Sequence, residues 1–407
     1  MASRTGFRFR VKLIAVRDTA RTRAVDLDPA LFTTDPLDLA RDPEIQVVIE
    51  LMGGTGIAHD LIRASLSAGK AVVTANKALL AERGESLLAL AESVRRPLCF
   101  EASVAGGIPI LKALREGLVA NHISAIHGIV NGTCNFILTM MEQQGMEYAA
   151  ALAEAQRLGY AESDPTLDVD GTDTAHKLAI LVSIAFGVPV PFPSIYREGI
   201  DRLTPEDLRY AAEFGYCIKL LAVARKAGQQ VEARVHPTMV PLDHIMANVN
   251  GVYNAIYLEG DFVGPNLYYG YGAGKRATGS AVVSDLMVLA RQIRSGVKTL
   301  MPPLAHVHPE RDEISIQPMT ELRASYYFRF SAVDRPGVLS KISGVLGEND
   351  ISIYSVIQKG REKDGSVPVV MLTHEAKERS VVQALSQMEH LEVLTDKTMM
   401  IRVEASK

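Results

Sequence analysis

Five carboxylates and one lysine crowd a single stretch, Gly159-Tyr160-Ala161-Glu162-Ser163-Asp164-Pro165-Thr166-Leu167-Asp168-Val169-Asp170-Gly171-Thr172-Asp173-Thr174-Ala175-His176-Lys177. Asp173 and Lys177 stand four residues apart, so a helix there carries both on one face. Lys177 also opens an apolar stripe with Ala175, Leu178 and Ala179. A half-buried ammonium is costly unless paired or used, and burial or a second cation moves its pKa toward the acid–base range. That pattern suits proton transfer. The same residues also read as an acidic helix start that complements the helix dipole, with Lys177 as a surface partner. His176 reads as a bystander. A second lysine, Lys77, follows the β-rich run Ala71-Val72-Val73-Thr74. It stands where open α/β sheets bind ligands, at the carboxyl end of a strand, which favours a functional role over the alternative of a solvated residue after a strand.

The elements that must position these groups alternate in type. Residues 11–16, 46–51, 71–74 and 97–101 read as strands. Apolar stripes at Leu61, Ile62 and Leu66, and at Leu87, Leu88, Leu90, Ala91 and Val94, read as helices between them. Such alternation implies a parallel sheet with helices on its faces. Its ligand-binding ends are Arg17-Asp18, Gly53-Gly54, Asn76-Lys77 and Glu101. A dinucleotide-binding sheet opens with a strand, a G-x-G-x-x-G turn and a helix whose N-terminus holds the pyrophosphate. No such turn follows a strand near the start, and Gly53-Gly54-Thr55-Gly56 lacks its spacing. The chain is therefore expected to enter at the second strand, lacking the N-terminal strand and Gly-rich loop.

From about residue 122 the texture changes. A strand over 123–130 is broken by Asn131-Gly132. Helices follow over 136–141, 146–158 (closed by Gly159) and 173–187, then a β-rich stretch over 229–265 and a helix over 278–294. After a proline-containing, charged stretch, residues 326–403 read as strand, helix, strand, strand, helix and a final β-rich segment. That is a ferredoxin-like order.

The 407 residues allow two or three domains. Lys+Arg 43 against Asp+Glu 47 gives a net charge of −4, with 47% hydrophobic and 22% charged residues. This balance excludes a disordered chain and argues against nucleic-acid binding driven by bulk charge. Cys99, Cys134 and Cys217 are odd in number and far apart, so neither a disulfide framework nor a CxxC zinc pattern follows, which fits a reducing cytoplasm. Arg4, Arg8, Arg10 and Lys12 precede no uninterrupted apolar run, so no secretory signal is expected. The longest apolar run, 178–190, contains Ser183 and Pro189 and is shorter than the ~20 residues of a membrane span.

Several segments, taken in order, resemble homoserine dehydrogenases. They are Val72-Val73-Thr74-Ala75-Asn76-Lys77-Ala78-Leu79, Glu101-Ala102-Ser103-Val104-Ala105-Gly106-Gly107-Ile108-Pro109, Asn131-Gly132-Thr133-Cys134-Asn135-Phe136-Ile137-Leu138, the Gly159 to Lys177 stretch, and Gly272-Ala273-Gly274 with Thr278-Gly279-Ser280-Ala281-Val282-Val283. The resemblance implies reduction of L-aspartate 4-semialdehyde to L-homoserine with a nicotinamide cofactor, in threonine, methionine and isoleucine biosynthesis. It assigns Lys177 to proton transfer and Lys77 to the neighbourhood of cofactor and reacting centre. Glu162, Asp168 and Asp173 fall to the substrate, with Asp173 also counted as catalytic. Arg17, Gly53, Lys77, Gly159, Gly272 and Gly274 fall to the cofactor. The chemistry is coherent: hydride reduction of an aldehyde needs a proton at the developing alkoxide, and carboxylates suit an α-ammonium group. The resemblance also implies a monovalent cation, Na+, on Glu101 and the carbonyls of Val104, Gly106 and Ile108. Oxygen-only ligation suits such a cation, and the same glycine-rich turn also serves close packing alone. Arg17, with Arg21 and Arg23 close by, favours the 2′-phosphate of NADP over NAD, a solvated basic edge being equally compatible.

Residues 326–404 resemble an ACT domain, on Asp334-Arg335-Pro336-Gly337-Val338-Leu339 and Asn349-Asp350-Ile351-Ser352-Ile353. This implies an amino-acid effector, threonine for this pathway, at Gly337 and Asn349. A dimerisation module without ligand is the competing reading. The expected organisation is an incomplete Rossmann-like parallel sheet over 1–120, to which the helix 278–296 returns, and a mixed-sheet α/β catalytic domain over 121–300. A linker over 301–325 and a ferredoxin-like ACT domain over 326–407 complete it. Two functions follow. One is a cytoplasmic, feedback-regulated NAD(P)-dependent oxidoreductase that assembles as a dimer or tetramer, without membrane or nucleic-acid partners. The other is a truncated amino-acid-binding regulatory relative that cannot hold cofactor.

Overall fold

A computed structural model describes residues 6–187, 189–296, 302–304, 306, 315–359 and 365–404. Contacts divide the chain into two compact units: Met1–Ile123, His176–Ser194 and Gly260–Ile314 form the first, and Ser124–Ala175, Ile195–Glu259 and Ser315–Lys407 the second. Residues 301, 305 and 307–314 of the expected linker lie outside the described residues.

In the first unit, Val47–Glu50, Ala71–Thr74 and Leu98–Cys99 form a parallel sheet in that order. Every residue of Ala71–Thr74 is buried, as a parallel strand covered on both faces requires. The helices Ile57–Ser67, Lys77–Ser93 and Lys275–Ser295 flank it, and Ala281, Val282 and Leu289 of the last pack on Ala71 and Val73. A separate two-stranded sheet pairs Ile14–Ala15 in parallel with Phe32–Thr33. The strand expected over 11–16 is thus two residues long. Its partner escaped the pattern because Leu31-Phe32-Thr33, set between Asp28-Pro29 and Asp35-Pro36, is too short to display a period. The strand expected over 97–101 shortens to Leu98–Cys99, since Glu101–Ser103 turns into a 3₁₀ helix.

In the second unit one sheet runs throughout, in the order Tyr253–Gly260, Ile123–Ile129, Tyr216–Ala227, Gln230–Pro241, Met399–Val403, Arg323–Val333, Ser366–Thr373, Ile353–Gln358. Tyr216–Ala227 and Gln230–Pro241 make a long hairpin, paired from Tyr216↔Pro241 to Ala227↔Gln230 and turned at Gly228, whose φ of +61° suits glycine. The first arm was not foreseen: it is buried on successive residues, so it lacks the alternation that marks a half-buried strand. The helix Pro205–Glu213 was also missed, although Thr204-Pro205-Glu206-Asp207 is a capping box with proline at its start. The last four strands in that order, with the helices Val338–Glu348 and Glu378–Met388, build the ferredoxin-like ACT domain around Phe328, Phe330, Ile342 and Val381. Of the β-rich segment expected over 391–403, only Met399–Val403 is strand. That strand also pairs in parallel with the hairpin, Arg402 opposite Thr238 and Val403 opposite Met239. Among the described residues no helix is long and apolar enough to cross a membrane.

Candidate active site

Asn131 organises the acids of the second unit. It caps the helix Gly132–Gln144, its side-chain oxygen accepting from the Cys134 amide at 2.8 Å. Its side-chain nitrogen donates to Asp168 Oδ1 at 2.8 Å and to Asp173 Oδ2 at 2.9 Å. One amide thus spends its acceptor on a helix start and both donors on two carboxylates, which holds two like charges side by side. The helix expected to begin near Phe136 starts at Gly132, and that earlier start is what places Asn131. Gly132 is required there: a Cβ would lie 2.7 Å from the Val252 carbonyl. Cys134 Sγ donates to the Asp168 carbonyl at 3.2 Å, and Asp170 Oδ1 accepts from Thr172 N at 2.8 Å, fixing both sides of Gly171.

Gly159, at φ +75°, stops the helix Tyr148–Arg157 as its position predicts. Thr133 Oγ1 then donates to the Tyr160 carbonyl at 2.7 Å, so the exposed Glu162 hangs from the same helix start as Asn131. The donors of Asn131 go to Asp168 and Asp173, not to Glu162.

The helix Thr172–Phe186 carries Asp173 in its first turn and Lys177 in the next, about 6 Å of rise apart. Lys177 is only 7% exposed, so it is a buried lysine rather than a solvated one at the helix surface. His176 is buried too, its ring 4.3 Å from that of Phe192 and its Nε2 3.5 Å from a Glu82 carboxylate oxygen.

In the first unit, Glu50, outside the sequence's candidates, and Asn76 build the surroundings of Lys77. Glu50, fully buried at the end of its strand, accepts from the amides of Met52 at 2.7 Å and Gly53 at 3.1 Å and from Thr74 Oγ1 at 2.6 Å. Asn76 caps the helix Lys77–Ser93 through the Leu79 amide at 3.1 Å and donates to the Gly54 carbonyl at 2.8 Å. Gly53 and Gly54 both have φ near +75°, with open space around them. The available signal was a lone acid closing an apolar strand. At the edge of the other sheet, Arg23 donates to the carbonyls of Asp18, Thr19 and Arg21 and covers the Phe32 ring at 4.5 Å. Arg23 braces that loop, while Arg17 and Arg21 stay exposed.

Glu101 is 6% exposed, and its two oxygens accept from the amides of Leu111 at 3.0 Å and Lys112 at 2.8 Å. Its own amide donates to Asp285 Oδ2 at 3.0 Å. Burial, then Asp285, pushes the Glu101 carboxyl up to about 7, and burial pushes Asp285 up to about 6. A buried, poorly neutralised carboxylate fits a hard monovalent cation. The turn that follows is packing-limited as well: a Cβ on Gly107 would lie 2.5 Å from the Tyr271 carbonyl, and one on Gly106 3.4 Å from that of Gly272. Gly274, at φ +107°, precedes the helix Lys275–Ser295.

Both carboxyls sit above their unfolded values, so between about pH 4 and 7 the folded protein holds protons that the unfolded chain releases. Stability therefore falls as pH rises across that window. Asp285→Asn removes one acid and keeps an acceptor for the Glu101 amide. Its unfolding free energy relative to the parent is expected to improve by about 1–2 kcal/mol from pH 5 to pH 8 in urea titrations. A difference constant with pH would contradict the raised carboxyls.

In the ACT domain, Gly337 has φ +89° and open space at the start of Val338–Glu348. Asn349, 7% exposed, donates to the Val345 carbonyl and to Gln387 Oε1, both at 2.8 Å. Its amide clamps the two helices of the domain.

The profile described as homoserine dehydrogenase matches residues 109–287, that of the homoserine dehydrogenase NAD binding domain residues 1–101, and that of the ACT domain residues 326–390. A homoserine dehydrogenase of Pseudomonas aeruginosa is 46% identical over 405 residues, 99% of this chain and 93% of that protein. The crystal structure of a homoserine dehydrogenase from Thiobacillus denitrificans matches with a TM-score of 0.90 and 46% identity, covering 99% of this chain and 92% of that one. A hyperthermophilic archaeal homoserine dehydrogenase in complex with NADPH matches with a TM-score of 0.56 and 29% identity, over 64% of this chain and 76% of that one.

Proposed function

This chain belongs to the homoserine dehydrogenase family, and from that premise we propose that Lys177 hands a proton to, and takes it from, the reacting oxygen of the substrate. The chain is an oxidoreductase that interconverts L-aspartate 4-semialdehyde and L-homoserine, built from an NAD-binding domain, a catalytic domain and a C-terminal ACT domain. When bound, a nicotinamide would supply or accept the hydride at the reacting carbon. In the reducing direction negative charge grows on the oxygen, and an ammonium at Lys177 both stabilises it and donates. The observation that carries this is the burial of Lys177 one helical turn beyond Asp173, because a lysine kept from water there has no solubility role.

Asp168 and Asp173, aligned by Asn131, hold the substrate's α-ammonium group, with Glu162 as a third acid and Asp173 also shaping the catalytic face. Lys77 serves the cofactor end. Gly53, Gly159, Gly272 and Gly274 let backbone approach the cofactor, and Arg17 meets a 2′-phosphate, which makes NADP the preferred form. Residues 6–50 contain no G-x-G-x-x-G turn, so other backbone amides hold the pyrophosphate. Glu101 with the Val104, Gly106 and Ile108 carbonyls holds Na+. Gly337 and Asn349 answer to threonine, and the enzyme works as a cytoplasmic homo-oligomer divided near residues 120, 300 and 325.

The test is a titration of this 407-residue chain with NADPH and NADH, followed by nicotinamide fluorescence, and then addition of aspartate 4-semialdehyde. We expect NADPH to bind at least about tenfold more tightly and to be oxidised when the semialdehyde is added. Equal or reversed affinities would remove the role given to Arg17. Failure of both nucleotides to bind would favour the regulatory alternative, and binding without turnover would remove the proton-transfer role given to Lys177.

A further inference from the structure

The C-terminal domain reaches residues 168–171 through Arg402 and the segment it grips. Arg402, 2% exposed on the strand Met399–Val403, donates Nη1 to Glu198 Oε2 at 2.9 Å and Nη2 to the Tyr196 hydroxyl at 3.2 Å. Its Nε donates to Glu378 Oε2 at 2.9 Å, and Nη2 also bonds Glu378 Oε1, on the helix Glu378–Met388. The Tyr196 hydroxyl donates to Glu198 Oε2 at 3.1 Å. One guanidinium therefore spends one edge on the ACT domain and the other on Tyr196 and Glu198.

Those two residues begin a strap that lies on residues 169–171. Tyr196–Arg197 pairs in parallel with Arg234 and Val235, and the Glu198 amide donates to the Val235 carbonyl at 2.9 Å. Gly199 then approaches so closely that a Cβ would fall 2.3 Å from the Val169 carbonyl and 2.9 Å from Asp170 Cα. The Ile200 amide donates to the same Val169 carbonyl at 2.9 Å. From the other side, a Cβ on Gly171 would meet the Glu198 carbonyl at 3.3 Å. Val169 and Asp170 adjoin Asp168, which Asn131 holds beside Asp173.

We propose that Arg402 is a positioning residue for the substrate acids: by fixing Tyr196 and Glu198 it sets where residues 196–200 press on residues 168–171. The ACT domain then forms part of the wall behind the substrate acids. A shift of the strand Met399–Val403 on binding an amino acid moves the strap, through a contiguous chain of bonds and close contacts. The proposal rests on the reading of Asp168 and Asp173 as substrate acids, and its test separates the two.

Removing Arg402 itself would leave the buried Glu378 charge unpaired and destabilise the fold. Glu198→Ala instead removes the strap carboxylate that Arg402 grips, keeps the bond to the Tyr196 hydroxyl and leaves the Arg402–Glu378 pair in place. It is expected to raise KM for aspartate 4-semialdehyde about tenfold, with KM for the nicotinamide cofactor and the thermal midpoint unchanged. Glu198→Gln, which keeps an oxygen acceptor, is expected to return KM to within about twofold of the parent. An unchanged KM in Glu198→Ala overturns the proposal. So does a fallen midpoint with both KM values raised alike, the mark of a purely structural pair. Asp168→Asn is assayed beside them. If it leaves KM for the semialdehyde untouched, the substrate-acid reading fails. If it raises that KM while Glu198→Ala does not, only the role of Arg402 fails.

Discussion

Lys177→Met is expected to lower kcat by about 10³- to 10⁴-fold while leaving the protein folded. General acid–base transfer by a placed group contributes about 10²–10⁴, and stabilisation of a developing oxyanion about 10²–10³. One ammonium performs both tasks, so the two do not multiply in full. Methionine suits the site because Lys177 is 7% exposed among Ala175, Leu178 and Ala179, and an unbranched apolar chain fills the same space without a charge to satisfy. The loss should fall equally on semialdehyde reduction and homoserine oxidation, since one group donates in one direction and accepts in the other. Lys177→Arg should rescue little, because a guanidinium keeps the charge and does not release its proton. Steady-state rates in both directions, with a thermal melt as control, decide the matter. Turnover within tenfold of the parent would remove Lys177 from the chemistry.

Asp207→Ala is expected to cost about 3–5 kcal/mol of stability, the range for a buried ion pair broken on one side. Asp207 is fully buried and accepts from Arg329 Nε at 2.6 Å and Nη2 at 3.0 Å, from the Tyr327 hydroxyl at 3.1 Å, and from Thr204 N at 3.0 Å and Oγ1 at 2.8 Å. Arg329 and Tyr327 belong to the ACT strand Arg323–Val333, whereas Thr204 and Asp207 start the helix Pro205–Glu213. Alanine therefore strands a guanidinium, leaves a buried hydroxyl without its acceptor and removes a capping box at once. In the parent, burial first and then the neighbouring Asp207 carboxylate hold the Tyr327 phenol well above its ordinary range, so it meets Arg329 as a neutral hydroxyl. Guanidinium unfolding monitored by circular dichroism measures the loss. A cost below about 1 kcal/mol would show that the joint is held by the sheet alone.

These expectations differ in how much of them the sequence could supply. The acids at 168 and 173, the lysine four residues on and the glycine that stops the preceding helix were legible because they are local. Helix periodicity, a C′ glycine and charge density act over ten to twenty residues, and the chain carries them as pattern. The ferredoxin-like order of the last domain was legible for the same reason: its strands and helices are short, amphipathic and separated by turns. Resemblance across ordered segments supplied the chemistry.

What the tertiary structure decided is every pairing across long stretches of chain. Asn131 meets Asp168 and Asp173 only because the strand Ile123–Ile129 ends just before it and the helix it caps starts at Gly132, and nothing in Asn131-Gly132 announces two carboxylates 37 and 42 residues away. Tyr216–Ala227 was invisible as a strand because it is covered on both faces, so burial erased the alternation that would have marked it. Glu50 and Asn76, which shape the loop before Lys77, bond across neighbouring strands whose register no local pattern specifies. Arg402, Glu378 and Glu198 come from three distant segments and become one network only when the strand Met399–Val403 pairs with Gln230–Pro241. Local propensity chose the elements and the groups with chemistry. Hydrogen bonds between elements, strongest where burial removes water as a competitor, chose which of those groups meet.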